Sequence, residues 1–302
     1  MKKSVRLRAF AKVNLCLHVV GRRADGYHEL RTIFQAISLH DTLELTARQS
    51  RSAPGMEVRF SSDDASLPVG RENLVVRAIE AVGGEIGFRG VVNARLSKRI
   101  PVARGLGGGS SDAAAALIGM FRLAGAELPL GRLIEIAAGL GADVPFFLFG
   151  GRAVAVNRGD EIYPLGDLQK RAILVVSPRD IGVSTKDAYQ WVSSSLTNRA
   201  KPPNILEFCA LCWSRQKNGL ANDFEGPVFD RHPRLREIRD GLLQGGAADA
   251  ALAGSGSAVF GVFRNPAQAR RTARKFPEDT TFVTETLNRA EYGRALGWRA
   301  SV

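Results

Sequence analysis

The chain has 302 residues, with 42 Lys and Arg against 30 Asp and Glu and a formal net charge of +12. At ~100–200 residues per domain the length suggests two domains, and 45% hydrophobic with 24% charged residues excludes wholesale disorder, a collagen-like chain or a disulfide-dense scaffold. The excess is spread evenly, 20 basic and 14 acidic residues in 1–150 and 22 and 16 in 151–302. It therefore reads as attraction to nucleic acid, an anionic membrane or a phosphorylated small molecule rather than as a basic tail.

The chain opens on basic residues, but Lys12 and Asn14 interrupt the apolar stretch a secretory signal needs. No apolar run approaches the ~20 residues of a spanning helix, and three cysteines make no disulfide framework. A soluble, cytoplasmic protein is expected. Cys209 and Cys212 form a C-x-x-C pair with no second pair, on what reads as an apolar helix face over 205–213, so metal or redox chemistry is not expected there.

Alternation of apolar residues predicts strands at 5–10, 13–20 and 42–47. The segment 21–26 is a polar loop, 27–38 continues as a short helix or a strand, and 48–70 is a surface excursion around a short strand at 56–60. Apolar spacing predicts helices over 73–82 and 130–140, with a strand at 91–96 between them. A glycine loop at 101–112 runs into an Ala-rich helix ending near 124, and an apolar run at 146–149 is followed by a strand pair at 151–156 and 161–163. The spacer 166–170 is the expected domain boundary, giving units 1–165 and 166–302. The second unit reads as α+β, with strands at 173–176, 258–262 and 281–285 and helices at 186–192, 205–213, 235–241 and 266–275.

The concentrated chemical signal is Pro101, Val102, Ala103, Arg104, Gly105, Leu106, Gly107, Gly108, Gly109, Ser110, Ser111, Asp112. Residues without Cβ atoms let successive N–H groups converge, and the helix that follows adds the positive end of its dipole, which makes an anion site. It is not a Walker A loop, because no Lys follows the glycines, nor a dinucleotide fingerprint, because the last glycine is replaced by Ser110. The alternative is a linker or a capping loop with Ser111 or Asp112 as the cap, and a linker running directly into an Ala-rich helix is the poorer reading.

This motif resembles the nucleotide-binding loop of the superfamily containing the galactose, homoserine, mevalonate and phosphomevalonate kinases. Ala11-Lys-Val-Asn-Leu15, Arg23-Ala-Asp-Gly-Tyr-His28 and Gly141-Ala-Asp-Val-Pro145 are similar to blocks of the 4-diphosphocytidyl-2-C-methyl-D-erythritol kinases, and so are Asn222-Asp-Phe-Glu225 and Leu252-Ala-Gly-Ser-Gly-Ser257. The resemblance runs from about residue 9 to about residue 263. It implies a two-domain α+β kinase, with an N-terminal ribosomal-protein-like domain and a C-terminal ferredoxin-like domain. It also implies ATP-dependent phosphorylation of the 2-hydroxyl of a cytidyl diphosphate sugar alcohol in the non-mevalonate isoprenoid pathway.

By the same resemblance Asp143 is the general base and Lys12 its partner beside the γ-phosphate. The loop residues Pro101 to Ser111, with Asn73, Leu74 and Lys98, hold ATP. Asn14, Tyr27, His28, Phe34, Asp143 and Tyr189 face the substrate, with Tyr189 stacking on cytosine. Read alone, Asp143 is a turn residue, His28 an ordinary histidine, Phe34 a core residue and Gly254 to Ser257 a turn. Mg²⁺ is expected with ATP, and the implied partners are small molecules, with no nucleic acid or membrane and a monomer or weak homodimer. Arg104 occupies a position where such loops carry a small residue, and its side chain is expected to point outward. A basic nucleic-acid-binding protein on the same fold would interleave aromatics with basic residues on a sheet, and the sequence has no such stripe.

Overall fold

The computed structural model describes residues 2–50, 52–126, 128–195, 205, 208 and 220–298. The first two expected strands are one: β1 (Lys2–Arg22) runs antiparallel to β2 (His28–Gln49) along almost its whole length. Register shifts between Phe10 and Lys12 and between Asn14 and Cys16 explain the broken alternation, because a bulge flips the pattern without ending the strand. The segment at 27–38, open between helix and strand, is strand and continues through 42–47.

On its other edge β2 serves two neighbours. Its first half pairs β5 (Arg152–Asn157), which carries β6 (Glu161–Pro164), and its second half pairs β4 (Gly90–Ser97), which carries β3 (Met56–Ser62) in parallel. The short β8 (Ala221–Asn222) joins β1 to complete a seven-stranded sheet. Helices α1 (Leu74–Glu85), α2 (Gly108–Ala124) and α3 (Leu130–Leu140) contribute Val75, Ile79, Leu117 and Leu133 to one core with Leu7, Leu43 and Leu45 of the sheet. The apolar run at 146–149 is a single helical turn, α4 (Phe146–Phe149), with all four residues buried.

In the second half, β7 (Ala172–Ser177), β9 (Asp249–Leu252), β10 (Val259–Phe263) and β11 (Thr280–Glu285) form an antiparallel sheet of order β11-β7-β10-β9. Helices α5 (Thr185–Ser195), α6 (Glu225–Arg231) and α7 (Pro233–Gln244) lie between β7 and β9 in the chain, and α8 (Pro266–Ala273) lies between β10 and β11. This is the split β-α-β order of ferredoxin-like domains. The strand β9 and helices α4 and α6 were not foreseen, and most of 205–213, including Cys209 and Cys212, lies outside the described residues.

Every residue of β7 is buried, because its two faces serve two cores. Leu174 and Val176 meet Phe224, Leu235 and Phe263 under the helices, while Ile173 and Val175 meet Ala11, Val13 and Ile37 of the first sheet. The spacer at 166–170 lies between β6 and β7, outside any strand or helix. Past it the chain still returns to the first core: α9 (Arg289–Leu296) buries Tyr292 and Leu296 there, and the Tyr292 hydroxyl donates to Phe147 O at 2.7 Å.

Candidate active site

The bulge at Phe10/Lys12 has a local consequence. The Lys12 N–H donates to Leu106 O at 3.0 Å, so the strand is tied directly to the glycine loop. A Cβ on Gly107 would lie 3.1 Å from Lys12 Cγ and 2.8 Å from Phe147 Cζ, so only glycine lets the loop come this close to the lysine stem. Gly107, at φ 70°, is also the N-cap of α2. The capping alternative therefore fails, since no side chain caps the helix and Ser111 and Asp112 lie buried inside it. The first N–H groups of the helix are left to face outward with the dipole behind them.

Lys12 is almost fully buried. Its Nζ donates to Asn14 Oδ1 at 2.8 Å, lies 3.3 Å from Asp143 Oδ2 and sits 5.0 Å over the Phe34 ring. Asn14, two residues along the same strand face, donates to Thr32 Oγ1 at 2.7 Å, and Thr32 donates to Cys16 O. Asp143 follows α3 in a turn closed by Val144 N–H to Gly141 O, and the burial of Val144 and α4 fixes its backbone. Its carboxylate keeps 33% exposure against 5% for Lys12, which leaves an oxygen accessible to a ligand.

One cavity of about 1080 Å³ joins these groups. It exceeds the ~300–1,000 Å³ of a usual single-ligand pocket. Lys12, Asn14, Asp143 and Phe34 line its middle. At one end are Asn73, Leu74, Lys98, Pro101, Val102, Ala103, Arg104, Gly105, Leu106, Gly107, Gly108, Gly109 and Ser110, and at the other Tyr27, His28 and Tyr189. Of the residues expected to hold ATP or face the substrate, Ser111 does not line the cavity; it is buried behind the loop with an unpartnered hydroxyl.

Lys98 is not a free cation. Its Nζ donates to Asp41 Oδ2 at 2.5 Å and to Asp112 Oδ2 at 2.7 Å, with all three side chains buried. Asp41 Oδ1 also accepts the Arg99 and Ile100 N–H groups. Burial pushes the Asp112 carboxyl up to about 7, with Lys98 pulling down and Asp41 pushing up. Burial depresses Lys98, but the two carboxylates outweigh it and leave it raised. Asn73 is similarly committed: it caps α1, accepting Val75 N–H at 2.9 Å and donating to Pro68 O.

At the opposite end His28 stacks on Tyr189 with centroids 4.8 Å apart, and Tyr189 meets Phe224 edge-on. The Ser193 hydroxyl donates to Tyr189 O at 2.7 Å and so accepts from His28 Nε2, 2.6 Å away, which leaves Nδ1 as an acceptor. Burial, with Arg22 nearby, lowers the His28 pKa. Burial raises that of Tyr189, and the Asp143 charge adds to it. Tyr27 is 57% exposed, and the Arg158 guanidinium lies 5.1 Å from its ring centroid.

Several lining residues were missed by sequence reasoning. Thr185, Lys186 and Ser193 lie three or four positions from Tyr189 on α5, and that helical spacing was the available signal, whereas Gln190, next to Tyr189, also lines the cavity and had none. Arg158 lies in the β5–β6 turn and carries no local signal. The block at 222–225 is scaffolding: Asn222 donates to Leu252 O and Gly254 O, and Glu225 accepts the Leu252 N–H, which fixes the turn at 253–258. A Cβ on Gly254 would lie 3.4 Å from Lys12 Nζ. Arg104 does not point outward, since its guanidinium donates to Ser257 Oγ at 2.6 Å.

Comparison with known proteins agrees with this geometry. Residues 73–151 match the GHMP kinases N terminal domain and residues 205–280 the GHMP kinases C terminal domain. A homoserine kinase from Cytophaga hutchinsonii, 18% identical over 95% of this chain and 96% of its own at a TM-score of 0.67, shares the fold. The chain is thus a kinase of the GHMP class, a phosphotransferase that takes its phosphoryl group from ATP.

The 4-diphosphocytidyl-2-C-methyl-D-erythritol kinase of Solibacter usitatus (strain Ellin6076) is 44% identical over 98% of this chain and 92% of its own. That of Geobacter metallireducens is 38% identical over 90% and 94%. A crystal structure of 4-(cytidine 5'-diphospho)-2C-methyl-D-erythritol kinase is 36% identical over 93% of this chain and 99% of that chain, at a TM-score of 0.77. The chain belongs to the 4-diphosphocytidyl-2-C-methyl-D-erythritol kinase family.

Proposed function

We propose that the chain transfers the γ-phosphoryl group of ATP to the 2-hydroxyl of 4-diphosphocytidyl-2-C-methyl-D-erythritol, a step of the non-mevalonate isoprenoid pathway. The observation that carries the reading is the Lys12–Asp143 ion pair, in the one cavity that the glycine loop shares with Tyr27, His28 and Tyr189. In this reading residues 1–165 supply the nucleotide cradle and both charged groups. Residues 166–302 supply Tyr189 and the turn at 253–258.

Asp143 accepts the hydroxyl proton as the oxygen bonds to the γ-phosphorus and the bond to the ADP oxygen breaks. Lys12 keeps Asp143 ionised and offsets charge on the transferring group. The N–H groups at the start of α2 hold the polyphosphate, and Tyr189 and His28 hold the cytosine, His28 Nδ1 accepting from its amino group. The enzyme then works on small molecules in the cytoplasm; no helix among the described residues is long and apolar enough to cross a membrane.

Mg²⁺ would supply charge neutralisation on the phosphate oxygens. Among the described residues no three His, Cys, Asp or Glu side chains cluster as a cage. The donor set fits an ion carried mainly by ATP, with Ser110, which lines the cavity at the start of α2, as the hydroxyl of the chain beside it.

The test is ADP release on presenting ATP, Mg²⁺ and the cytidyl substrate, with mevalonate and homoserine as controls. Turnover with the cytidyl substrate alone is expected. Turnover with a control alone would overturn the assignment.

A further inference from the structure

Arg104 stands directly before Gly105 in the glycine loop. Its Nη1 donates to the Oγ of Ser257, a fully buried residue, at 2.6 Å, and its Nη2 donates to Arg179 O at 3.3 Å. Its own carbonyl accepts the Ala258 N–H at 3.3 Å. The backbone around it is pressed flat against the same turn. A Cβ on Gly105 would lie 1.7 Å from Ala253 O, and one on Gly256 would lie 2.2 Å from Arg104 C. Ala103, just before, is held at φ 56°, a left-handed conformation a non-glycine residue adopts only where its surroundings impose it.

The turn at 253–258 is itself anchored. Asn222 holds Leu252 O and Gly254 O, and Gly254 abuts Lys12 and Asn14. The two glycine turns thus meet backbone to backbone, and the Arg104 side chain spans the seam to a residue 153 positions away.

We propose that Arg104 is a positioning residue: it clasps the phosphate loop to the β9–β10 turn through Ser257, so that the loop N–H groups are set for the ATP polyphosphate before ATP arrives. Because the guanidinium is spent on neutral oxygens across the seam, it acts through the loop rather than as a free counter-charge. The proposal rests on the glycine loop being the ATP cradle.

The experiment measures ATP binding to the full chain by calorimetry, and KM and kcat, for wild type, Arg104→Ala, Arg104→Lys, Ser257→Ala and Arg104→Ala/Ser257→Ala. Arg104→Ala and Ser257→Ala should each weaken ATP about tenfold, as the loss of a charge-assisted hydrogen bond would, and raise KM for ATP with kcat and KM for the second substrate little changed. The double variant should be no worse than either single one. Arg104→Lys keeps the charge but not the fork and should resemble Arg104→Ala.

Wild-type affinity in Arg104→Lys would make the residue a counter-charge and overturn the clasp. Additive losses in the double variant would do the same, as would an unchanged ATP affinity in Ser257→Ala. Thermal unfolding of each variant separates a loop effect from a folding defect, and Ser257→Ala supplies the test if Arg104→Ala does not fold. Failure of wild type to bind ATP would instead remove the reading of the loop on which the proposal stands.

Discussion

The two ends of the cavity are built by opposite means. The phosphate end is backbone and buried charge: a glycine loop pressed against two neighbours, standing on the Asp41–Lys98–Asp112 cluster that ties α2 to β2 and β4. The end proposed for cytidine is side chain, with Tyr27 mostly exposed and His28 stacked on Tyr189, which also meets Phe224. At the first end the same atoms hold the fold and face the ligand, so substitution there puts stability at risk. At the second end substitution should cost affinity and leave the fold alone. Lys12 and Asp143 stand where the two meet, Lys12 being tied to the glycine loop by its N–H.

The largest expected effect is at that midpoint. Asp143→Asn should lower turnover by roughly 10²–10⁴ with folding intact, measured as steady-state kcat beside a thermal melt, and Lys12→Ala should lower turnover more than ATP affinity. Next comes the phosphate end. Lys98→Met leaves two buried carboxylates facing each other and should cost about 3–5 kcal/mol of stability in urea unfolding. A loss under ~1 kcal/mol would mean the cluster is not structural. Gly108→Val brings a branched side chain toward Ile100 and Lys98, where even a Cβ would lie 3.0 Å from each, and should abolish ATP binding.

At the end proposed for cytidine Tyr189→Leu should raise KM for the cytidyl substrate by roughly 5–150-fold, the worth of one base–aromatic stack at ~1–3 kcal/mol, with ATP affinity and melting temperature near wild type. Equal loss of ATP affinity would erase the contrast between the two ends. The smallest effect is in pH. Burial lowers the folded pKa of His28 below its ordinary 6.5, so the unfolded chain takes up the proton first. The stability His28 contributes is present above pH 6.5 and is lost as pH falls from there through its folded pKa. His28→Gln should flatten that part of the stability profile.

Which of these features the sequence announced follows from the same contrast. The glycine loop was readable because its chemistry is local: four glycines, two serines and a helix lie in consecutive positions. Lys12 and Asn14 were readable as neighbours on one strand face, although the bulge at Ala11 that turns Lys12 N–H toward Leu106 was not, since it arises only once β2 is alongside. The commitment of Lys98 to Asp41 and Asp112 joins residues 57 and 14 positions away and had no local trace. The same is true of Arg104 and Ser257. The ferredoxin-like order of the second sheet followed from the resemblance, whereas β9, four residues of Asp-Ala-Ala-Leu, is too short and weakly patterned to stand out. Part of the basic excess was also misleading, since Lys98 is neutralised by carboxylates.

The central claim is that Asp143, held by Lys12, takes the proton of the acceptor hydroxyl. The direct measurement is single-turnover transfer of label from γ-labelled ATP to the cytidyl substrate, by wild type and by Asp143→Asn, with both ligands saturating in each. Wild type should label the sugar alcohol at its 2-hydroxyl, and Asp143→Asn should bind both ligands and transfer at least ~10²-fold more slowly. Transfer at the wild-type rate by Asp143→Asn would contradict the account.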